Sequence, residues 1–401
     1  MLTLASRTIF RVVCIVLLLF ACCVHPVRVQ AQSNKVVTTE TVIKLMHRNH
    51  ALVTPDSAHI FLNGYLHLRG MVGNAPFTIE LNAWPNTLTA YTFSDSLQSL
   101  DAFTVTLDKD ILQFQYDEAQ FYAPRLHIGR LLLGITADGL FKGYAIDDSL
   151  QKLVPCSFRE DYSDGSIGMR NLNFRYHGNS NKYPVAVSGD LLFADTAHAA
   201  GRALNKLLMS GYNLIGSEGD PNAVLKGYPK PASVKTYKQY TIDRFKAYCS
   251  KVIDAAFLVD AAESPRKSAL YNDIQVGVIL NDGKHLLLQL LFGQADGIAY
   301  ADNTTIEFTY DVQHNTLYSP DQFTGKLAAP GGRNIAPVVK LLKAARMQAA
   351  DREEETALLV NGMPAYIFSK GVVLYKPGGN HGNQHFYRYY PNTIIAPLLK
   401  K

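Results

Sequence analysis

FTVTLDKDILQFQY, Phe103 to Tyr116, turns its side chains alternately apolar and polar: Phe103, Val105 and Leu107 point one way, Thr104 and Thr106 the other. A period of two is that of a pleated strand with one face in a core. Similar short bursts run in both directions from it. HIFLNGYLHLRG (from His59), PFTIELNAW and TLTAYTF come before it, and LHIGRLLLGI and GLFKGYAI come after. Each is rich in branched and aromatic residues and bounded by Gly, Asn, Asp or Pro, with dipeptides such as Asp138-Gly139 where a positive φ is needed. The stretch from about 50 to 190 is therefore expected to be all-β.

Beyond it the texture changes. FADTAHAAGRALNKLLM (Phe193 to Met209) reads as helix, and a Gly/Pro-rich stretch follows as linker. Tyr237 to Asp260 has Ile242, Phe245, Cys249, Val252 and Phe257 near one helical face. NDIQVGVIL and KHLLLQLLF then flank the hairpin signal Asn281-Asp282-Gly283, and TTIEFTYDV supplies a third strand. A helix from Asn334 to about Ala350 comes next, then two strands, AYIFSKGVVLY and FYRYY, around a loop. The expected fold class is α+β. An all-β domain (32–190) leads through a helix and linker (191–236) to an α+β domain (237–401) with antiparallel strands and helices on one face.

The first residues have the grammar of a secretory signal. Arg7 and Arg11 precede the apolar run Val12 to Val24, and Val29-x-Ala31 offers a cleavage site. A second reading stays open, in which Leu19-Phe20-Ala21-Cys22 is a lipobox and Cys22 is lipidated. Either way the chain is expected to be exported, to the periplasm, the outer membrane surface or the medium. Cleavage after Ala31 removes Arg7, Arg11 and Arg28 from the 39 basic residues and leaves 36 against 34 acidic. With no Lys/Arg block either, a nucleic-acid partner is not expected. It also leaves Cys156 and Cys249 as the remaining cysteines, which one disulfide could join.

The half from about 240 onward resembles a domain of unknown function found in RsiV-type anti-sigma factors and PdaC-type polysaccharide deacetylases. The residues that carry the likeness are Tyr310-Asp311 leading into Thr316-Leu317-Tyr318 and Phe323, then Phe368-Ser369-Lys370-Gly371-Val372-Val373-Leu374-Tyr375, and the closing NTIIAPLL. Where the family commonly has Gly-Gly-Ala-His, this chain has Gly293-Gln294-Ala295-Asp296. The N-terminal half is similar, at Gly139, Phe141, Gly143, Pro155 and Phe158, to β-rich secreted proteins of the Bacteroidetes type. The resemblance implies a binding module whose partner is an envelope or extracellular protein, lysozyme by analogy, or a glycan.

Chemistry-bearing patterns are few. GGNHGNQH (Gly378 to His385) spaces His381 and His385 as metal ligands can be spaced, but Gly382 and Asn383 between them favour a polar loop, and no third ligand is near in sequence. The deacetylase likeness suggests pairing them with Thr92-Phe93-Ser94-Asp95, which lacks one of that family's aspartates. His47 and His50 fall on a short N-terminal helix. Tyr375, Tyr387 and Tyr389 could line a protein or glycan contact, or simply face a sheet. No nucleotide or nucleophile motif appears, and no cofactor is called for. The expected function is an exported, non-enzymatic envelope binding protein; the alternative is a metal-dependent polysaccharide hydrolase or deacetylase using His381 and His385.

Overall fold

The alternating bursts close into a barrel. The structure, a computed structural model, describes residues 37–54, 60, 64–85, 87–94, 99–116, 128–147, 151–180, 183–196, 199–211, 231–250, 270–295, 302–318, 365–376 and 386–391. Eight antiparallel strands follow one another around the barrel: β1 (Tyr65–Val72), β2 (Ala75–Trp84), β3 (Thr87–Ser94), β4 (Ser99–Asp108), β5 (Ile111–Tyr116), β6 (Ile128–Ile135), β7 (Phe141–Asp147) and β8 (Lys152–Glu160). β8 pairs back onto β1, so this sheet has no open edge. The inward side chains alternate as the sequence pattern requires: Leu66 and Leu68 on β1, Ile79 and Leu81 on β2, Phe103 and Val105 on β4. They form one apolar cluster, and eight strands leave room for little more than such a filling. Helix α1 (Thr39–Asn49) packs on β6, with Val42 and Met46 fully buried and Thr39 accepting a hydrogen bond from Arg130. Gly143 makes room for it: a Cβ there would come within 3.1 Å of the Met46 methyl and far closer to the Leu132 carbonyl.

A six-stranded sheet continues the chain, in the order β14-β13-β12-β11-β10-β9. Its strands are β9 (Met169–Ser180), β10 (Tyr183–Ala194), β11 (Leu270–Asn281), β12 (His285–Ala295), β13 (Asp302–Asp311) and β14 (Thr316–Tyr318). Helices α2 (Ala199–Gly211) and α3 (Val234–Tyr248) pack against it. Leu204, Leu208, Ile242 and Phe245 share a core there with Val185, Val276 and Leu288. The remaining described strands, β15 (Ala365–Phe368), β16 (Gly371–Lys376) and β17 (Phe386–Pro391), form a small antiparallel sheet.

Several expectations change. The described chain is mostly β, with three helices. The second sheet is not wholly antiparallel: β10 and β11 run parallel, Val185 opposite Leu270, because the chain between them crosses over through α2 and α3. β10 itself extends through residue 190, where the first domain was expected to end, and Phe193 lies in that strand instead of opening a helix. AYIFSKGVVLY is a hairpin, not one strand, because Ser369 and Lys370 turn the chain. The disulfide that could have joined the two cysteines is not formed. Cys156 and Cys249 are free thiols, Cys156 inside the barrel and Cys249 in the core beneath α3, so each is sealed in a different apolar cluster.

Candidate functional site

On β1 and β2 the residues that point away from the barrel are Tyr65, His67 and Arg69, then Glu80, Asn82 and Trp84. A lone barrel would leave them in water. Here β11 and the segment after β8 cover most of them, and His67, Glu80 and Asn82 are at most 1% exposed. Buried polar groups call for partners, and all of these but His67 Nε2 have aligned ones.

β10 pairs β11 only as far as Gln275, and a register shift between Val278 and Leu280 interrupts the β12 side. Side chains of β2 take up the freed backbone groups. Trp84 Nε1 donates to the Val276 carbonyl at 3.0 Å. Asn82 accepts from Val278 N at 2.7 Å and donates to its carbonyl at 2.9 Å. Glu80 Oε1 accepts from Asn281 N at 3.0 Å. Asn281 repeats the device on the segment after β8, accepting from Ile167 N at 3.0 Å and donating to its carbonyl at 2.8 Å.

The charged centre grows from one cross-strand pair. His67 and Glu80 are register partners, so their side chains leave the sheet side by side. His67 Nδ1 donates to Glu80 Oε2 at 2.9 Å, and the Tyr65 hydroxyl donates to the same oxygen at 2.6 Å. Asp164 Oδ2 lies 3.4 Å from His67 Nε2, an ion-pair distance without hydrogen-bond alignment. Burial opposes the imidazolium, but Glu80 and Asp164 together outweigh it and raise the His67 pKa to about 10. Asp164 is correspondingly held well below the carboxylate range against its own burial, by His67 and Ser166. Arg69 reaches Asp161 at 3.3 Å and Asp164 at 3.5 Å. Hydrogen bonds from Ser163, with Arg69 nearby, hold Asp161 at about 2. Burial first, then Glu80, pushes the Tyr65 phenol far up, so it stays neutral.

This network holds the wall of a cavity of about 680 Å³. Tyr65, Glu160, Tyr162 and the segment Gly165 to Arg170 line it, together with Asp195, Gly201 and Val312. Tyr162 lies with its ring tilted against His67, 5.7 Å between centroids, and its hydroxyl accepts from His67 N at 3.4 Å. Arg170 and Asp195 pair at 3.1 Å. Ser166 is buried, and its hydroxyl makes no aligned hydrogen bond within the protein, although Asp164 stands beside it. Gly165, at φ +91, fixes the turn that presents this wall.

None of the residues singled out by sequence is among the described residues that line this cavity. His381, His385 and Cys22 fall outside the described residues, and so does Asp95. The register puts Tyr375 opposite Tyr387 and Tyr389 opposite Val373. Val373 is fully buried against the barrel's outer residues Tyr91 and Phe93. Tyr310-Asp311 serves a turn: Asp311 accepts from His314 N at 2.9 Å, and the Tyr310 hydroxyl donates to Asn315 at 2.6 Å. Ser369 N donates to Asp282 at 3.0 Å and ties the small sheet to the β11–β12 turn. His47 sits 3.6 Å from Asp110 at the surface. Among the described residues no three His, Cys, Asp or Glu side chains gather as a metal site, and no helix is long and apolar enough to cross a membrane. The polar residues of YLHLRG and TIELNAW were the available signal for the site that does form. Their alternation marked them as a solvent face, and the cover that buries them comes from distant sequence.

No family model and no curated protein matches the chain. Among solved structures, a DUF3298-family protein from Bacteroides fragilis is similar at 13% identity, with a TM-score of 0.38 over 59% of this chain and 95% of that one. A DUF3298-family protein from Pseudomonas aeruginosa is similar at 13% identity, with a TM-score of 0.33 over 59% of this chain and 96% of that one.

Proposed function

We propose that the protein is an exported, non-enzymatic binding protein of the bacterial cell envelope, and that it captures its partner in the cavity bounded by Tyr162, Gly165–Arg170 and Asp195. The signal-like segment 1–31 supports export. In this reading the barrel is the all-β part and the sheet with its helices is the α+β part, of the type found in RsiV-type proteins. The observation that carries the binding reading is a cavity of about 680 Å³ whose wall is fixed from behind by a buried charge network. That size is usual for ligand sites, and a preformed wall spares the ligand the cost of ordering it.

Gly168 offers the test. A Cβ built there meets only the Tyr162 ring, at 4.0 Å, so a side chain can start from this position and Gly168→Leu puts its bulk at the cavity wall. The protein, purified as the cell processes it, would be immobilised and offered envelope extract, peptidoglycan fragments and lysozyme. Saturable retention by the wild type and its loss in a folded Gly168→Leu variant is the expected result. Equal retention by both would remove the cavity from the function, and retention by neither would remove the binding reading.

A further inference from the structure

We infer that β9 is a self-pairing edge: two copies of the chain join antiparallel along it and merge their six-stranded sheets into one. The pairing holds whether or not the cavity takes a partner.

The two large sheets end differently. The barrel is closed and has no edge. The six-stranded sheet has two, and they are unequal. β14, at one side, is three residues long and can template little. β9, at the other, is twelve residues long, and among the described residues it pairs with β10 alone. α3 lies on a face of this sheet, against β9 and β10 alike. A strand bonded on one side keeps alternate N–H and C=O groups free for another strand.

Long edges are commonly blunted by proline, lysine or a bulge. β9 uses none of these. MRNLNFRYHGNS contains neither proline nor lysine, and its pairing with β10 runs from Met169 to Ser180 without a shift. Its two arginines are engaged within the fold. Arg170 pairs with Asp195 at 3.1 Å, and Arg175 pairs with the buried Asp190 at 2.7 Å.

That neutralisation points to the occupant. It lowers the repulsion between two copies and leaves little charge to select an acidic or basic strand. Asn173, His177 and Asn179 stand exposed along the edge beside Arg175. An asparagine amide both donates and accepts, so it can find a partner in its own copy. A two-fold axis normal to the sheet sets polar face beside polar face and apolar face beside apolar face. On the apolar face it extends the strip of Leu172, Phe174 and Tyr176, of which Leu172 and Tyr176 are only partly buried in one copy. Such pairing uses both long edges at once and closes. Joining β9 to β14 would engage three residues and leave a long edge open.

Sedimentation equilibrium of the whole processed protein, read with hydrogen exchange of the β9 amides, tests the pairing. The wild type should pass from monomer to dimer as concentration rises, and β9 amides should gain protection over the same range. Asn173→Lys combined with His177→Lys puts lysine opposite lysine or Arg175 in any register centred from residue 173 to residue 177. Two-fold symmetry repeats each such contact, so the dissociation constant should rise at least about tenfold. Both side chains are exposed in one copy, so the urea midpoint of the monomer should not move. Asn173→Thr combined with His177→Thr keeps strand propensity without charge and should still dimerise. A wild type that stays monomeric with β9 unprotected overturns the inference, as does a dimer that the two lysines leave intact. Protection of β9 only after envelope extract is added would give the edge to a foreign strand and overturn self-pairing.

Discussion

Around His67 and Glu80, strands β1 and β2 have two faces that are equally dry and otherwise opposite. Leu68, pointing into the barrel, and His67, pointing away from it, are both fully buried. Inward, the contacts are apolar and non-directional, so each side chain contributes in proportion to the area it covers. Outward, Glu80 alone receives the Tyr65 hydroxyl, His67 Nδ1 and Asn281 N. Burial there is the same on the two faces, but tolerance is not. A shortened leucine leaves a cavity, whereas a lost carboxylate leaves several polar groups dry and unbonded.

The largest effect should come from Glu80→Leu. It orphans three donors and leaves the His67 imidazolium with Asp164 alone, so a loss of at least about 3–5 kcal/mol is expected. Leu68→Ala, one residue from His67, should cost about 2–5 kcal/mol and keep the native sheet. Urea denaturation of both variants measures this. Equal stability of Glu80→Leu and wild type would mean that water reaches the network and the outer face is not sealed.

The two faces should also differ in their response to pH. The folded His67 pKa, about 10, lies above its ordinary 6.5. Below pH 6.5 both states carry the proton and the stabilisation is complete. Above it the unfolded chain loses the proton while the folded one keeps it, so stability falls with rising pH until about 10. Between pH 6.5 and 8.5 the fall should be about 2 kcal/mol. The free thiols stay largely out of that window, since burial pushes Cys156 and Cys249 up to about 12 in the fold and their ordinary value is 9.0. Urea midpoints across this range should slope downward for the wild type and flatten in His67→Gln. In Leu68→Ala they should keep the wild-type slope at a lower level. A flat wild-type profile would show that His67 is neutral in the fold.

How much of this was legible in the sequence follows the same division. The inward face was legible, because Phe103, Val105 and Leu107 need only the period of two to be recognised as core. The hairpin turn at Asn281-Asp282-Gly283 was legible too, and Gly283 takes the positive φ, +77, that the signal implies. Closure of the barrel was not, since pairing β8 to β1 joins Leu68 to Glu160 across most of the domain. Nor was the outer face. His67 and Glu80 read as solvent-facing until Asn281, 201 residues beyond Glu80, is brought onto them. The cavity wall at Tyr162–Gly168 carries no motif; the network behind it holds it in place. GGNHGNQH drew attention by its histidines, yet spacing alone says nothing of which distant side chains meet it.

The smallest effect tests where the cover ends. Along the outer face of β1, Tyr65 and His67 are sealed, Arg69 is partly open with its side chain 37% exposed, and Met71 is 42% exposed. The gradient has a physical source: Asn281 and Ile167 close over the first two residues, Arg69 meets the polar groups of Asp161, Ser163 and Asp164, and Met71 stands beyond them. Met71→Thr should therefore change stability by no more than about 0.5 kcal/mol, in contrast to the several expected at Glu80. The same substitution keeps β propensity, so strand pairing is not in question. A loss above about 1.5 kcal/mol would place Met71 under a cover, extend the sealed layer along the whole of β1, and make the outer face of the barrel a second continuous core instead of a patch around His67.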